Sequence, residues 1–193
     1  ISNGTNKLGD TGDYRIIGNS TPRFKYGITL DAAWKGFDFS IFMQGIGKRD
    51  LWLDGCYFWG ANGQGNEWQS TGFAEHWDFF RPEGDPLGAN LNSYYPRVNF
   101  SGDRNTKVQT RYLQNGAYLR LKNVQLGYTL PRVWTEKAGI SSVRVYVSGD
   151  NLATITSLSK IFDPEATGSL AGTGSGKLYP LQRVISVGVN VNF

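Results

Sequence analysis

The sequence predicts an all-β fold made of antiparallel, up-and-down strands of the kind found in transmembrane β-barrels. Five segments alternate apolar and polar residues with the two-residue period of a β-strand. The connections between these segments are short, long, short and long in turn. Outer-membrane barrels have this order of connections, because their periplasmic turns are brief and their outside loops are extended. Both observations therefore point to the same topology.

The composition is compatible with barrel strands and excludes helical membrane spans. The 193 residues include 25 Gly, 6 Trp, 10 Tyr and 11 Phe, which suits a β-rich protein with many turns and girdles of aromatic residues. No run approaches the roughly 18 apolar residues that a transmembrane helix needs. The net charge of +4 comes without a run of Lys and Arg, so a nucleic-acid-binding face is not expected.

The first two strands are predicted over residues 24–34 and 37–45, as a hairpin closed by Lys35 and Gly36. Each strand has its apolar residues on one parity, and Phe42 is the exception on the polar side. The apolar residues of the hairpin are Phe24, Tyr26, Ile28, Leu30, Trp34, Phe37, Phe39, Ile41 and Met43.

The third and fourth strands are predicted over residues 118–130 and 142–151. In the third strand the apolar parity changes near Lys122, which indicates either a β-bulge there or an upper half that lies beyond the hydrocarbon. The connection over residues 131–140 is predicted to hold one helical turn, from Trp134 to Ala138, which Gly139 ends.

The fifth strand, over residues 183–193, has one apolar and one small, polar parity. Eleven residues are about enough to cross a bilayer when the strand is tilted. In a barrel the apolar parity faces lipid, and Phe193 is a terminal aromatic residue of the kind expected to act as an assembly signal. A soluble sandwich could end on such a strand too. The residues predicted to face lipid are Ile185, Val187, Val189 and Val191.

The polar parities of these strands are predicted to face the lumen. In a barrel, a set that mixes both charge signs more often contacts a plug or water than it marks a substrate site. The set comprises Lys25, Asp31, Asp38, Gln44, Arg144, Tyr146 and Asp150.

Two long loops, about 47–115 and 155–181, separate the strands on one side. The first contains four of the six Trp residues. Trp and Tyr rings stack on sugar faces while their polar edges form hydrogen bonds, but such rings also pack a loop against itself or against a partner. The residues predicted to contact substrate or partner are Trp52, Tyr57, Trp59, Trp68 and Trp77.

No set of residues predicts an enzyme. Cys56 and His76 are the only residues of their types, which excludes an internal disulfide framework, His-based metal sites and most hydrolase triads. Two close carboxylate pairs lie beside prolines and predict turns. Loop calcium is the alternative for these pairs, but the sequence does not support it, so no cofactor or metal is predicted. The pairs are Asp163 with Glu165 and Glu83 with Asp85.

Several stretches, taken together and in order, resemble the SusC/RagA-type TonB-dependent outer-membrane transporters. The resemblance covers nearly the whole chain and is weakest between about 47 and 111. The stretches are Gly12-Asp-Tyr-Arg-Ile-Ile-Gly-Asn19, Trp34-Lys-Gly-Phe-Asp-Phe-Ser-Ile-Phe-Met-Gln-Gly45, Asn115-Gly-Ala-Tyr-Leu-Arg-Leu-Lys-Asn-Val-Gln-Leu-Gly-Tyr-Thr-Leu-Pro131, Val143-Arg-Val-Tyr-Val-Ser-Gly-Asp-Asn-Leu152, Phe162-Asp-Pro-Glu165, and Tyr179-Pro180 through Phe193.

The resemblance implies a bacterial outer-membrane protein from Bacteroidota that imports oligosaccharides, or less often peptides. Its expected partners are a SusD-like surface lipoprotein that acts as a lid and the TonB complex, which supplies energy. Barrels of this class have about 22 strands and a plugged lumen, so this chain would supply about five C-terminal strands. The plug, the TonB-binding segment and the export signal are expected outside it.

Two alternatives remain from the residues alone. One is a soluble, carbohydrate-binding β-sandwich, and the other is a surface barrel or adhesin that transports nothing. The aliphatic parity distinguishes the first alternative, because a sandwich buries it in a dry core whereas a barrel turns it towards lipid.

Overall fold

The fold is built around one antiparallel sheet of five strands, seen in a computed structural model that describes Gly12 and residues 15–61, 72–99, 105–168 and 175–193. Its order is β1-β2-β5-β6-β7, so each long strand pairs with the next along the chain. A second sheet pairs the two shortest strands. The strands are β1 (Phe24–Trp34), β2 (Phe37–Gly47), β3 (Asp50–Leu51), β4 (Gln114–Asn115), β5 (Tyr118–Thr129), β6 (Ser142–Thr156) and β7 (Val184–Asn192).

The helices are short and lie in the connections. Within the described residues, no helix is long and apolar enough to cross a membrane. The α-helices are α1 (Cys56–Trp59) and α2 (Arg132–Thr135), and the 3-10 turns are Ala74–Trp77, Thr110–Tyr112 and Glu136–Ala138.

The two short connections have the local structure that the sequence predicts. Lys35 and Gly36 both have positive φ, at 46° and 88°, as the two central residues of a type I′ hairpin turn require. The second connection forms α2 and one 3-10 turn, and Gly139 ends it in the left-handed conformation at φ 70°. Because Phe37 pairs with Tyr128 and Thr129 pairs with Arg144, both connections lie at the same end of the sheet.

One face of the five-stranded sheet is apolar and uncovered in the described residues. Directly paired residues point to the same face, so the register places Leu30, Ile41 and Val124 in one row. Another row joins Val147 to Val187. Val187 is 76% exposed, and its neighbours on this face are also exposed. No described residues cover this face, as is expected of a lipid-facing barrel wall.

A β-bulge in β5 explains the change of parity near Lys122. Phe42 pairs with Asn123, but the next residue of β2, Met43, pairs with Leu121, so Lys122 is left out of the ladder. Leu121 is thereby returned to the apolar face beside Met43. Of the two explanations that the sequence left open, the bulge is the one observed.

A matching irregularity in β6 explains why this strand is longer than predicted. Asn123 pairs with Asp150, whereas Leu121 pairs with Ala153, so Asn151 and Leu152 lie opposite the single residue Lys122 and β6 has one extra residue relative to β5. Polar Asn151 and apolar Leu152 interrupt the regular alternation, and the sequence therefore predicted an end at 151, although β6 continues to Thr156. β2 likewise continues to Gly47, two residues past its predicted end.

The opposite face of the sheet is polar and carries the residues predicted to face a lumen. Arg144 lies near its short-turn end and donates through Nε to Oδ2 of Asp38 at 2.8 Å, with a second contact from Nη2 to Gln125 at 3.2 Å. A Cβ on Gly127 would lie 2.4 Å from the Asp38 carboxylate. Only glycine therefore leaves room for this ion pair to lie flat on the sheet.

The two long connections meet at the other end of the sheet and form a small core. β3 and β4 pair there, so the long loop predicted over about 47–115 contains short elements of secondary structure. Phe58 is fully buried and contacts Trp59, Tyr95 and Phe162 through its ring. The buried members of this loop core are Leu51, Leu53, Phe58, Trp59, Tyr95, Tyr112, Leu158 and Phe162.

The assignment of the two faces predicts unequal effects for two neighbouring substitutions in β7. In the full-length barrel, Val187→Arg should cost roughly 2–4 kcal/mol or block assembly, because it places a charge against lipid near the middle of the strand. Ser186→Arg lies on the polar face and should be much milder. Heat-modifiability on gels, which reports folded barrel, measures both effects. Equal damage from the two variants would contradict the assignment.

Candidate functional site

The aromatic residues that the sequence proposed for substrate or partner contact occupy different environments. Trp59 is only 5% exposed, and its ring packs edge-on against Tyr112 at 4.9 Å. Trp52 and Tyr57 are half-buried and pack against the loop core. Trp77 is 60% exposed, and Trp68 lies outside the described residues. Of the described members of this set, only Trp77 offers most of its side chain to a ligand.

Arg81 holds Trp77 in place. Its Nη1 donates to the Trp77 carbonyl at 3.0 Å, and its Nε donates to the Gly88 carbonyl at 2.7 Å. The guanidinium also lies over the rings of Trp77 and Phe79, at 5.4 and 4.8 Å from their centroids. Arg81 is itself buried. Because Arg81 holds both the carbonyl and the ring of Trp77, a ligand that binds the exposed surface of Trp77 would cost little further side-chain freedom.

Three exposed apolar residues are contacted by Arg81 or lie next to residues that it contacts. Leu87 precedes Gly88, whose carbonyl Arg81 binds, and Leu91 follows Asn90, which pairs with Arg81 through the backbone. Leu87, Leu91 and Trp77 are all exposed. These three residues are called the Arg81 patch below.

His76 is a structural residue rather than a catalytic one. Its Nδ1 accepts a hydrogen bond from the Phe73 backbone at 2.9 Å, and its Nε2 lies 3.0 Å from the Phe58 carbonyl. Burial lowers the pKa of His76, although the hydrogen bond to Phe58 opposes this effect. The imidazole is therefore neutral near pH 7, and it links the 3-10 turn at Ala74–Trp77 to α1.

A groove of about 670 Å³ separates the two long connections. Glu75 is among its lining residues and accepts hydrogen bonds from the Tyr95 hydroxyl at 3.1 Å and from Ser159 Oγ at 2.8 Å. Burial and the neighbouring Glu75 carboxylate raise the pKa of Tyr95, so its hydroxyl remains a donor at all ordinary pH values. The lining residues are Phe73, Ala74, Glu75, Leu158, Ser159, Lys160 and Ile161.

An ion-pair latch fastens the second long connection to the polar face of the sheet. Arg120, on β5, is buried and lies 2.7 Å from Asp163 and 3.3 Å from Glu165. Lys122, at the bulge, lies 2.6 Å from Glu165. The sequence predicted a turn at Asp163, and the turn is present, because Asp163 Oδ1 accepts from the Glu165 backbone at 2.9 Å. No local pattern in the sequence indicates the partners on β5.

The latch explains the titration of Asp163. Burial alone would raise the pKa of Asp163, but hydrogen bonds from Arg120 and from the backbone N–H groups of Glu165 and Leu181 lower it. Asp163 is therefore ionised at neutral pH and pairs with Arg120 as a carboxylate. In the described residues, no group of three or more His, Cys, Asp or Glu side chains is placed to hold a metal ion.

The residues predicted to face lipid lie together at one edge of the sheet. Ile185, Val187, Val189 and Val191 are all exposed on the apolar face of β7. Phe193 follows β7 directly and is 90% exposed, and its role as an assembly signal stays a prediction.

Curated relatives of the chain are TonB-dependent receptors. It is 32% identical to TonB-dependent receptor P3 of Formosa agariphila and 28% identical to receptor P26 of the same organism. Both matches cover 95% of this chain and 18% of the relative. No model of a protein family matches the chain.

Solved structures of the RagAB peptide importer share the fold. The open-open state matches with a TM-score of 0.67 and 25% identity, and the closed-closed state with a TM-score of 0.68 and 26% identity. Each match covers 95% of this chain and 19% of the solved chain. These matches support the assignment of the chain as a fragment of a SusC/RagA-type TonB-dependent receptor. The resemblance seen in the sequence is thereby confirmed, and so is the antiparallel barrel fold. This receptor chain spans about a fifth of the length of the relatives it matches.

The latch in the receptor predicts a local opening of the second connection when Arg120 is replaced. Arg120→Met leaves Asp163 and Glu165 without their buried partner, which should cost roughly 3–5 kcal/mol of local stability. Residues 157–168 should then exchange amide hydrogens faster in the full-length receptor, while β5 and β6 stay protected. Arg132→Met, an exposed arginine of α2, is the matched control. Unchanged exchange in Arg120→Met would show that the latch does not hold this connection.

The same latch predicts an acid-sensitive connection. The folded-state pKa of Asp163 is lowered, so its stabilising effect is complete above the unfolded value of about 3.9 and is lost as the pH falls through the lower folded-state value. Hydrogen exchange at 157–168 should therefore be constant from pH 7 to about 5, after correction for the intrinsic rate, and should increase below about pH 4. Asp163→Asn should remove this dependence.

Proposed function

We propose that this chain forms part of the wall and outer loops of an outer-membrane transporter that imports an oligosaccharide or a peptide by a TonB-dependent mechanism. The observation that carries the proposal is the uncovered apolar face of the sheet, with tight turns at one end and a packed loop core at the other. Water would penalise such a face, whereas hydrocarbon would not.

The relatives support transport rather than catalysis. Two are named as TonB-dependent receptors, and the solved structures are of a peptide importer. A large barrel that takes energy from the inner membrane needs contact with the TonB complex. We propose that another part of the transporter makes this contact, because these strands supply a lipid-facing wall and outer loops.

A SusD-like lipoprotein is the proposed partner on the outer side. The family resemblance implies a lid at this side, and the loop core places exposed apolar groups there. The Arg81 patch is the best-defined of these surfaces, because Arg81 fixes Trp77 from behind. Exposed apolar residues on a rigid support are characteristic of the centre of a protein interface.

The proposal is tested by growth of the bacterium that encodes the full-length transporter. A deletion strain should fail to grow on one class of substrate, either a glycan mixture or a casein digest, as sole source. The wild-type gene should restore growth, and Val187→Arg should not. Full growth of the deletion strain on every glycan and peptide that supports the parent would refute the transport function.

The lid surface predicts a separate effect of the Arg81 patch. The triple variant Trp77→Ser, Leu87→Ser and Leu91→Ser removes exposed side chains only, so the barrel should still insert and show heat-modifiability. Co-purification of the neighbouring lipoprotein should fall several-fold, because interface cores lose most affinity when their apolar anchors are removed. Val133→Ser, exposed at the short-turn end of the sheet, is the control. Normal co-purification by the triple variant would place the lid contact elsewhere.

A further inference from the structure

The groove between the two long connections contains a carboxylate that has no cationic partner among the described residues. Each oxygen of Glu75 accepts a hydrogen bond from a neutral hydroxyl, that of Tyr95 or that of Ser159. No Lys, Arg or His forms a salt bridge with Glu75 in the part of the chain that the structure describes. The partly buried acids Asp163 and Glu165 differ, because both are paired with Arg120 or Lys122.

The surroundings of Glu75 are apolar and fixed. Phe73, Leu158 and Ile161 supply most of the groove wall. Ser159 is held by its own turn, since the Phe162 backbone donates to the Ser159 carbonyl at 3.0 Å. A carboxylate that is placed beside apolar walls, with both oxygens oriented but no countercharge, favours a cationic donor from a ligand.

The polar groups of the groove offer a neutral sugar few free hydrogen-bond donors. The Tyr95 and Ser159 hydroxyls are both committed to Glu75. Lys160 is exposed at the rim, where it would repel a second cation and could donate to a carbonyl. A sugar offers many hydroxyl groups and no positive charge, whereas a peptide offers an ammonium group, a carbonyl and an apolar side chain within one residue.

The groove is also placed to meet a substrate. Ser159 and Ile161 lie a few residues before Asp163, which the latch holds against the polar face of the sheet. In the proposed barrel, the polar face lines the lumen. The second connection, which lines one side of the groove, is therefore anchored on the lumen side of the proposed barrel.

We propose that this groove binds the ammonium group of an oligopeptide through Glu75, with an adjacent apolar side chain between Phe73, Leu158 and Ile161. The inference rests on the proposed transport function and narrows its substrate class to peptides. The α-amino terminus is the primary source of the ammonium group, and a lysine side chain is the other source of the same chemistry.

The test measures binding to the purified full-length transporter with its lipoprotein. The probe is the hexapeptide Leu-Phe-Ser-Gly-Ser-Gly, labelled at its carboxyl end, in free and N-acetylated forms. The free form should bind at least tenfold more tightly than the acetylated form, because one charge-assisted hydrogen bond to a carboxylate is worth about that factor or more. Glu75→Gln should abolish this difference, and Glu75→Asp should keep part of it. Glu83→Gln, an exposed glutamate of the same connection, should behave as wild type.

Further arms separate the sources of the ligand. If a lysine side chain can also supply the ammonium group, an N-acetylated probe with lysine in second place should bind the wild-type transporter. It should not bind Glu75→Gln. Maltohexaose should not compete for the site. Equal binding of free and acetylated peptide, wild-type affinity in Glu75→Gln, or competition by maltohexaose that depends on Glu75 would each overturn the inference. The growth test distinguishes failure of this inference from failure of the transport function. If the deletion strain cannot grow on one substrate class, the transport function stands even where the peptide-binding inference fails.

Discussion

The register between the five long strands is the constraint on which the rest of the structure depends. A shift of one residue would turn every apolar side chain of a strand to the polar face. The bulge at Lys122 and the one extra residue of β6 opposite it lie side by side and correct the parity together. They keep Leu121 and Ala153 on the apolar face, so the apolar band runs unbroken from the short-turn end to the loop core.

The polar face uses the same register to place charge and to fasten a loop. Arg144 and Asp38 pair across β2 and β6, over the backbone of Gly127 on the intervening strand. The pair is open to solvent, so it contributes specificity of register more than stability. Arg120 lies further along the same face, where the second connection covers it and makes its pairing with Asp163 much more consequential.

The sequence predicted the parts of this structure whose signal is local. Alternation gave the strands and their faces, and the Lys35-Gly36 dipeptide gave the first turn. The true end of β6 was missed, because Asn151 and Leu152 interrupt the period on which the prediction depended. The latch was missed for another reason. Asp163 and its neighbouring proline indicate a turn, but no local pattern indicates that Arg120, 43 residues earlier, is the partner.

The loop core changes what its aromatic residues can do. In an unstructured loop, every Trp and Tyr would be available for a ligand, and the sequence could not rank them. Once Phe58 and Trp59 form the buried centre, together with Tyr95 and Tyr112, they serve as a rigid support and are no longer surface. The proposed recognition then depends on a few groups that the core holds in place, such as Trp77 on Arg81 and Glu75 beneath two hydroxyls. A support of this kind lowers the entropy cost of binding, which is the physical reason to expect selectivity from so small a number of exposed side chains.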